Sequence, residues 1–408
     1  MKKVISMLLA FALCFGLLAV CTASSLTAKA DDGTTVTIWH DGSETIMQTI
    51  ADQVNAALAD DGITVRFEKK TDMPNQLKLY GNDAANGPDM YFYAHDVLGT
   101  FVAMDILAPL SDILDTDALL ADALPMTVKA GQLGGTQYLL PVYFETLVFL
   151  YNKDLWEGDI PATSEELYDY MAAHTDVNAG TYAVVNQHTN AYNVSPFING
   201  FGGFVLSEDG KPGFDDPKTM EAVEYNKKFG LLQADGDYNT VTTLFNEGKA
   251  AAIIGGPWLT SSIEAAGINY GVASLSDIKL PNGNGMAPFS GVQGAGVLKT
   301  ALETKKDAIA KVLTAMAAPE VGTALAKSAG CAPANSKSYD DEVAANQMIA
   351  AIQKTASTAQ PMPNIPEMNV MWGPAESFLV NVNKNGADVA TAAAEAQAAA
   401  EQAIADMQ

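Results

Sequence analysis

The chain has 408 residues, with 48 acidic residues against 23 Lys and Arg, for a formal charge of −25. That length exceeds one ordinary core and points to two domains, while the acidity argues against nucleic acid or an anionic lipid surface as a partner. Cys14 and Cys21 fall in an amino-terminal leader and Cys331 stands alone, so the sequence predicts no internal disulfide and no Cys-based metal cluster.

The leader comes first. Lys2 and Lys3 precede a nearly continuous apolar stretch from Val4 to Val20, then small polar residues from Thr22 to Thr27, then Ala28-Lys29-Ala30. This is the layout of a signal peptide over residues 1–30, cleaved before Asp31. The apolar run also approaches the length of a membrane span, but the A-x-A site so close behind it favours export. A second route is written in Leu18-Ala19-Val20-Cys21, where an acylated Cys21 would tether the protein to a membrane; Val20 departs from the usual small residue there. With cleavage after Ala30 as the adopted reading, 378 residues remain, and losing Lys2, Lys3 and Lys29 takes the charge from −25 to −28. No later apolar run reaches spanning length, so the folded part is expected to be soluble.

Thr35 to Trp39 alternates β-branched residues and breaks at Asp41-Gly42, as a strand does. Ile46, Ile50, Val54 and Leu58 recur at helical spacing. Ile63–Phe67 and the end of Gly87–Ala94 read as further strands. Strands alternating with helices predict an α/β fold, with ligands beyond the carboxyl ends of the strands, where Trp39–Glu44 and Tyr93–Asp96 stand. Tyr138 to Tyr151 is a long strand-like run, interrupted by Pro141 and Glu145, that could cross between domains. Thr163 or Ser164 starts a helix, with Glu166 in reach of a capping box. Helices are predicted over 219–229 and 241–248, and Ala250–Gly255 is a strand closed by Gly256-Pro257-Trp258. Helices follow over 307–317, 319–328, 341–356 and 387–407, with 360–366 a proline-rich loop.

The four histidines, His40, His95, His174 and His188, show no metal-ligand spacing, and neither a nucleophile elbow nor a phosphate loop is present. No cofactor and no metal are therefore expected. Paired carboxylates leave a glycosidase open, since such an enzyme needs only two.

Four segments carry a resemblance. They are Gly87–Asp96, Phe144–Leu155 with its Tyr-Asn-Lys-Asp-Leu, Phe245–Trp258 with Gly-Lys-Ala and Gly-Pro-Trp, and Met362-Pro-Asn-Ile-Pro-Glu-Met368 followed by Trp372. Together they resemble the maltose-binding branch of the family 1 extracellular solute-binding proteins. The resemblance implies a two-lobed periplasmic-binding-protein fold with discontinuous lobes and a hinge. One lobe would hold residues 31–143 plus 295–341 and the other 148–289 plus 348–408, with crossings near 144–147, 290–294 and 342–347. It implies a monomer that captures maltose or maltodextrin by hinge closure and passes it to the permease of an ABC importer. Binding of a different oligosaccharide is the alternative, and a secreted glycosidase the rival from another class.

By matching, the resemblance assigns ring stacking to Tyr93, Tyr192, Trp258 and Trp372, apolar packing on the sugar to Met362, and hydroxyl binding to Asp96 and Glu145. Asp41 falls at a polar position after the first strand. Glu145 also stands out by itself, because a charge inside an apolar run is costly without a purpose. Ser43 and Glu44 replace an acid and a lysine, Val97 an arginine and Asn190 a glutamate. Loss of two cations predicts a changed preference for chain length or linkage. Two charge-assisted hydrogen bonds with aromatic stacking suffice for the roughly 8 kcal/mol of micromolar binding.

Overall fold

The computed structural model describes residues 33–233 and 236–407. The leader, with Cys14, Cys21 and the cleavage site after Ala30, lies outside them. β1 (Thr34–His40), β2 (Ile63–Lys69) and β3 (Met90–Ala94) form where the alternating runs stand, and β1 pairs parallel with the other two. Parallel neighbours need a crossover. Helix Glu44–Ala57 supplies it, with the stripe Ile46, Ile50 and Val54 buried against the sheet. A small hairpin, β4 (Gln132–Leu133) and β5 (Thr136–Gln137), leads into β6 (Leu139–Thr146).

One residue, Leu147, separates β6 from β7 (Val148–Asn152), yet the two strands lie in different sheets. After β7 come β8 (Tyr182–Val185), β9 (Ala250–Gly255) and β10 (Tyr270–Ala273), which complete a four-stranded sheet ordered β10-β7-β9-β8. The chain then returns to the first sheet through β11 (Phe289–Val297), β12 (Ala332–Pro333) and β13 (Gln360–Pro361). That sheet is ordered β12-β6-β11-β3-β1-β2, with β13 beside β11.

Each sheet has its own apolar core. Val36, Ile38, Phe92, Ile309 and Leu325 belong to one; Phe149, Phe197, Phe229 and Phe378 to the other. A third cluster joins the sheets: Phe144 and Val292 pack with Val148, Leu150 and Ile253, and with Met348 and Ile352 from helix Gln347–Thr355. Among the described residues no single helix is long and apolar enough to cross a membrane.

Thr163 caps helix Ser164–His174 in the expected capping box with Glu166. The predicted helix over 341–356 is instead two helices, Asp341–Ala344 and Gln347–Thr355. Asn346 separates them, because its side chain accepts the N–H groups of Met348 and Ile349 and so starts a new helix. The expected loop over 360–366 begins as strand β13, where Pro361 is tolerated at a two-residue edge. Helices Ala191–Phe201 and Met368–Asn383 were not legible; Pro196 and Pro374 sit inside them.

The segment after β13 packs against the region around Gly99 and the β4 hairpin. Asn364 Nδ2 donates to the carbonyls of Ala130 and Gln132, at 3.0 and 2.7 Å. Gly99 lies directly beneath: a Cβ there would meet Ile365 C and Pro366 N at 2.4 Å and Asn364 O at 2.6 Å. The contact is with backbone, which cannot swing aside. Gly99→Ala is expected to lower stability by about 1–3 kcal/mol through overpacking, read as a fall in the urea midpoint at unchanged slope.

Candidate functional site

The carboxyl ends of β1 and β3 and one face of the β6–β11 pair meet around a cavity of about 160 Å³, lined by Asp41, Tyr93, Glu145, Trp258 and Gln293 among others. Strand alternation explains how an acid enters an apolar run. Phe144 and Val292 face each other and point into the inter-sheet cluster, whereas Tyr143 faces Gln293 and Glu145 faces Gly291 on the cavity side. Gly291 has no side chain to cover Glu145. Gln293, two residues along the strand, reaches across instead, and its Nε2 donates to Glu145 Oε1 at 2.7 Å.

No Lys or Arg lines this cavity among the described residues. Burial therefore dominates the acids. It pushes Glu145 up to about 7, with the Gln293 bond pulling the other way. Asp41 is raised to about 6 by burial, with Lys69 opposing and Asp96 and Asp72 reinforcing the shift. Asp96 is likewise raised by burial to about 6, against the indole N–H of Trp372, which donates to its Oδ2 at 3.3 Å.

The aromatic residues form a chain. Trp258 lies 6.2 Å from Tyr192, Tyr192 stacks on Phe289 at 6.4 Å, and Phe289 meets Trp372 edge-on at 6.1 Å. Trp258 follows a Gly-Gly-Pro turn and folds back over Gly256, where any Cβ would meet its ring at 2.1 Å. Tyr192 stands in the first turn of helix Ala191–Phe201, which Asn190 caps by accepting from Asn193 N. Pro196 cannot donate to the Tyr192 carbonyl; Ser195 Oγ does so at 2.6 Å, and the same oxygen accepts the Phe289 N–H at 2.8 Å. The charges of Glu145 and Asp96 add to burial in holding the Tyr192 hydroxyl protonated.

Met362 is buried, with its Cε and Glu145 Cγ lying 3.3 and 3.9 Å from the point a Gly291 Cβ would occupy. Glu44 is the outlier. It opens helix Glu44–Ala57 with its side chain 68% exposed, 3.9 Å from His40 Nε2, and does not line the cavity. Asp41, Tyr93, Glu145 and Trp258 thus share one cavity wall, while Asp96, Tyr192, Met362 and Trp372 connect to it through Phe289, Gly291 and each other.

Sequence reasoning missed Gln293, Phe289 and His95. The run Phe289–Val297 has the small and β-branched composition of a strand, which could have placed the first two. His95 was visible but roleless. β13 ends on Ser290 and β3 begins pairing at Gln293, so the Val292 N–H between them lacks a strand partner; His95 Nδ1 accepts it at 3.1 Å. Its Nε2 then carries the hydrogen and donates to Met362 O at 2.9 Å. Burial lowers this imidazole to about 4, so it stays neutral.

An acid whose pKa rises on folding destabilises the folded state as pH climbs from the unfolded value through the folded one. For Glu145 that window ends near 7. Glu145→Gln, which keeps shape and removes charge, is expected to stabilise the ligand-free protein by about 1–3 kcal/mol at alkaline pH and to change little in mild acid. Urea melts at the two pH values test this; equal effects at both would contradict it.

The profile of the family described as bacterial extracellular solute-binding protein matches residues 49–352. The maltotriose-binding protein of Pyrococcus abyssi is 31% identical over 361 residues, 86% of this chain and 78% of the relative. The galactooligosaccharide-binding protein of Bacillus subtilis is 30% identical over 408 residues, 95% and 94% of the two chains. A maltooligosaccharide ABC transporter solute-binding lipoprotein of Streptococcus pneumoniae is 29% identical over 403 residues, 93% and 92% of the two chains. A crystal structure of a cyclo/maltodextrin-binding protein complexed with maltotetraose superposes with a TM-score of 0.76 at 25% identity, covering 91% of this chain and 97% of that one.

Proposed function

Because the chain belongs to the bacterial extracellular solute-binding proteins, we propose that it captures maltose or a maltodextrin between two lobes and delivers it to the permease of an ABC importer. The observation that carries this reading is the convergence of flat rings and buried carboxylates. Trp258, Tyr192, Phe289 and Trp372 form a continuous aromatic wall, and Asp96 and Glu145 lie against it. A sugar presents weakly apolar C–H faces to the first and hydroxyl donors to the second. Capture on these terms needs no covalent step, and the relatives and the structural neighbour are binding proteins rather than enzymes.

The proposed ligand-binding set is Asp41, Tyr93, Asp96, Glu145, Tyr192, Trp258, Met362 and Trp372, with Glu44 at the rim. The lobes are taken as 31–143 plus 295–341 and 148–289 plus 348–408. Supporting this division, β6 and β7 fall in separate sheets with only Leu147 between them, so closure can pivot there with little backbone change. Residues 290–294 lie inside β11, where its partner changes from β13 to β3. Ligand contacts from both sides favour the closed form.

The family places the protein outside the cytoplasm. Release after Ala30 is the proposed route, with a lipid tether at Cys21 as its alternative; mass spectrometry of the native amino terminus distinguishes them. The protein is proposed to act as a monomer.

One relative favours a second reading, binding of a different oligosaccharide, since it is named for galactooligosaccharide. Calorimetry with maltose, maltotriose, a cyclodextrin and a galactooligosaccharide separates the two. Maltotriose is expected to bind, and Trp258→Ala and Trp372→Ala each to weaken it about five- to thirtyfold, the loss of roughly 1–2 kcal/mol of stacking. Heat with the galactooligosaccharide alone would replace the maltodextrin assignment. Silence from the whole panel would remove it.

A further inference from the structure

Glu145 is a buried acceptor of the cleft, 8% exposed, and no Lys or Arg lines the cavity it faces among the described residues. The groups facing it come from several parts of the chain. Tyr143 stands on its own strand, Gln293 and Gly291 on β11, and Tyr192 on helix Ala191–Phe201. Cys331 approaches just before β12, and Asp41 lies across the cavity, with Asp96 beyond it. Tyr143, Tyr192 and Cys331 are all held protonated by burial and by the charge on Glu145. Asp41 and Asp96 are acids. The group that directly lowers the cost of ionising Glu145 is the Gln293 amide, at 2.7 Å.

The position of that amide is set by the backbone. The β6–β11 ladder slips between Gln293 and Gly294, so that Gln293 faces Tyr143 while Gly294 faces Pro141. Such an irregularity re-aims side chains at the end of a regular ladder. With Gly291 opposite Glu145, the carboxylate is free to lean along the strand toward the amide. One oxygen, Oε1, is then engaged and the other is left for the ligand.

Resting on the sugar-binding reading above, we propose that Gln293 is a positioning residue of the cleft, whose N–H orients Glu145 and keeps it ionised as the acceptor of a sugar hydroxyl. Gln293 thereby replaces, with a neutral dipole, the cation that would otherwise balance a buried acid. The cleft gains an acceptor without gaining a positive charge, which suits a neutral ligand.

The test is calorimetry with maltotriose on the full-length mature protein from about pH 5 to about pH 9, a span that brackets the titration of Glu145. In the wild type, affinity should rise with pH through about 7 and then level off, because the hydroxyl donor favours the ionised acid. Gln293→Met keeps the bulk and removes the N–H. It is expected to move the midpoint of that rise up by about one unit, weakening binding about tenfold in mild acid, about fivefold near neutrality and by less than about threefold at the alkaline end. A loss of equal size at every pH, or no loss, would overturn the proposal, since a purely structural role has no reason to follow the titration of Glu145. Gln293→Asn, which keeps the amide but shortens its reach, carries the same expectation at smaller amplitude should the Met variant not fold. If the wild type itself binds no maltooligosaccharide, the functional reading fails; if it binds and the variants lose affinity in parallel across pH, only the role of Gln293 fails.

Discussion

The cleft is organised around carboxylates that have been taken out of water without a cation to receive them. Desolvating an ionised acid is among the larger penalties a fold can carry, and a protein offsets it with a counter-charge, with hydrogen bonds or by neutralising the acid. Here neutral groups supply part of the offset, an amide on Glu145 and an indole on Asp96, and burial still leaves both acids raised. Both bonds engage one oxygen of the acid. Under the proposed function, a polyhydroxylated ligand would donate to the acceptor capacity that Glu145 has left. The surrounding architecture follows from this. Rigid strands must present the acids, glycine must leave them uncovered at Gly291, and aromatic rings must exclude water on the far side.

β11 serves most of these needs at once. It contributes Phe289 to the aromatic wall, Gly291 opposite Glu145, Val292 to the inter-sheet core and Gln293 to the carboxylate. Its partner on one edge changes from β13 to β3, and the gap is closed by a neutral histidine whose two nitrogens have opposite roles. Fixing the tautomer of His95 in this way ties the segment after β13 to the central sheet. That tie helps determine where Met362 lies relative to Glu145.

The α/β alternation of the first part of the chain was legible because each strand there is bounded by turn residues and each helix shows a clean apolar stripe. The capping box at Thr163 was legible for a local reason as well, since cap and acceptor are three residues apart. Glu145 announced itself by being charged within an apolar run. Other elements were hidden by tertiary effects. The break at Asn346 depends on a side chain outcompeting the backbone, and the helices containing Pro196 and Pro374 survive because other groups take over the freed carbonyl or because packing outweighs the kink. Phe289 and Gln293 could not be assigned roles from the sequence, because those roles exist only across strand pairs and between sheets. Glu44 illustrates the converse: its place just after the first strand was readable, but the helix turns its side chain outward.

Ser195 shows how economically such an arrangement can be made and how exposed it leaves the molecule to change. Its hydroxyl bonds two main-chain groups, donating to the carbonyl of Tyr192 and accepting from the N–H of Phe289. Alanine at this position would strand both of them in a dry interior at the same moment, and cysteine, a feeble donor and acceptor, would do scarcely better. A single small alcohol therefore acts as the common fastening of the backbones of two aromatic residues that lie almost a hundred residues apart.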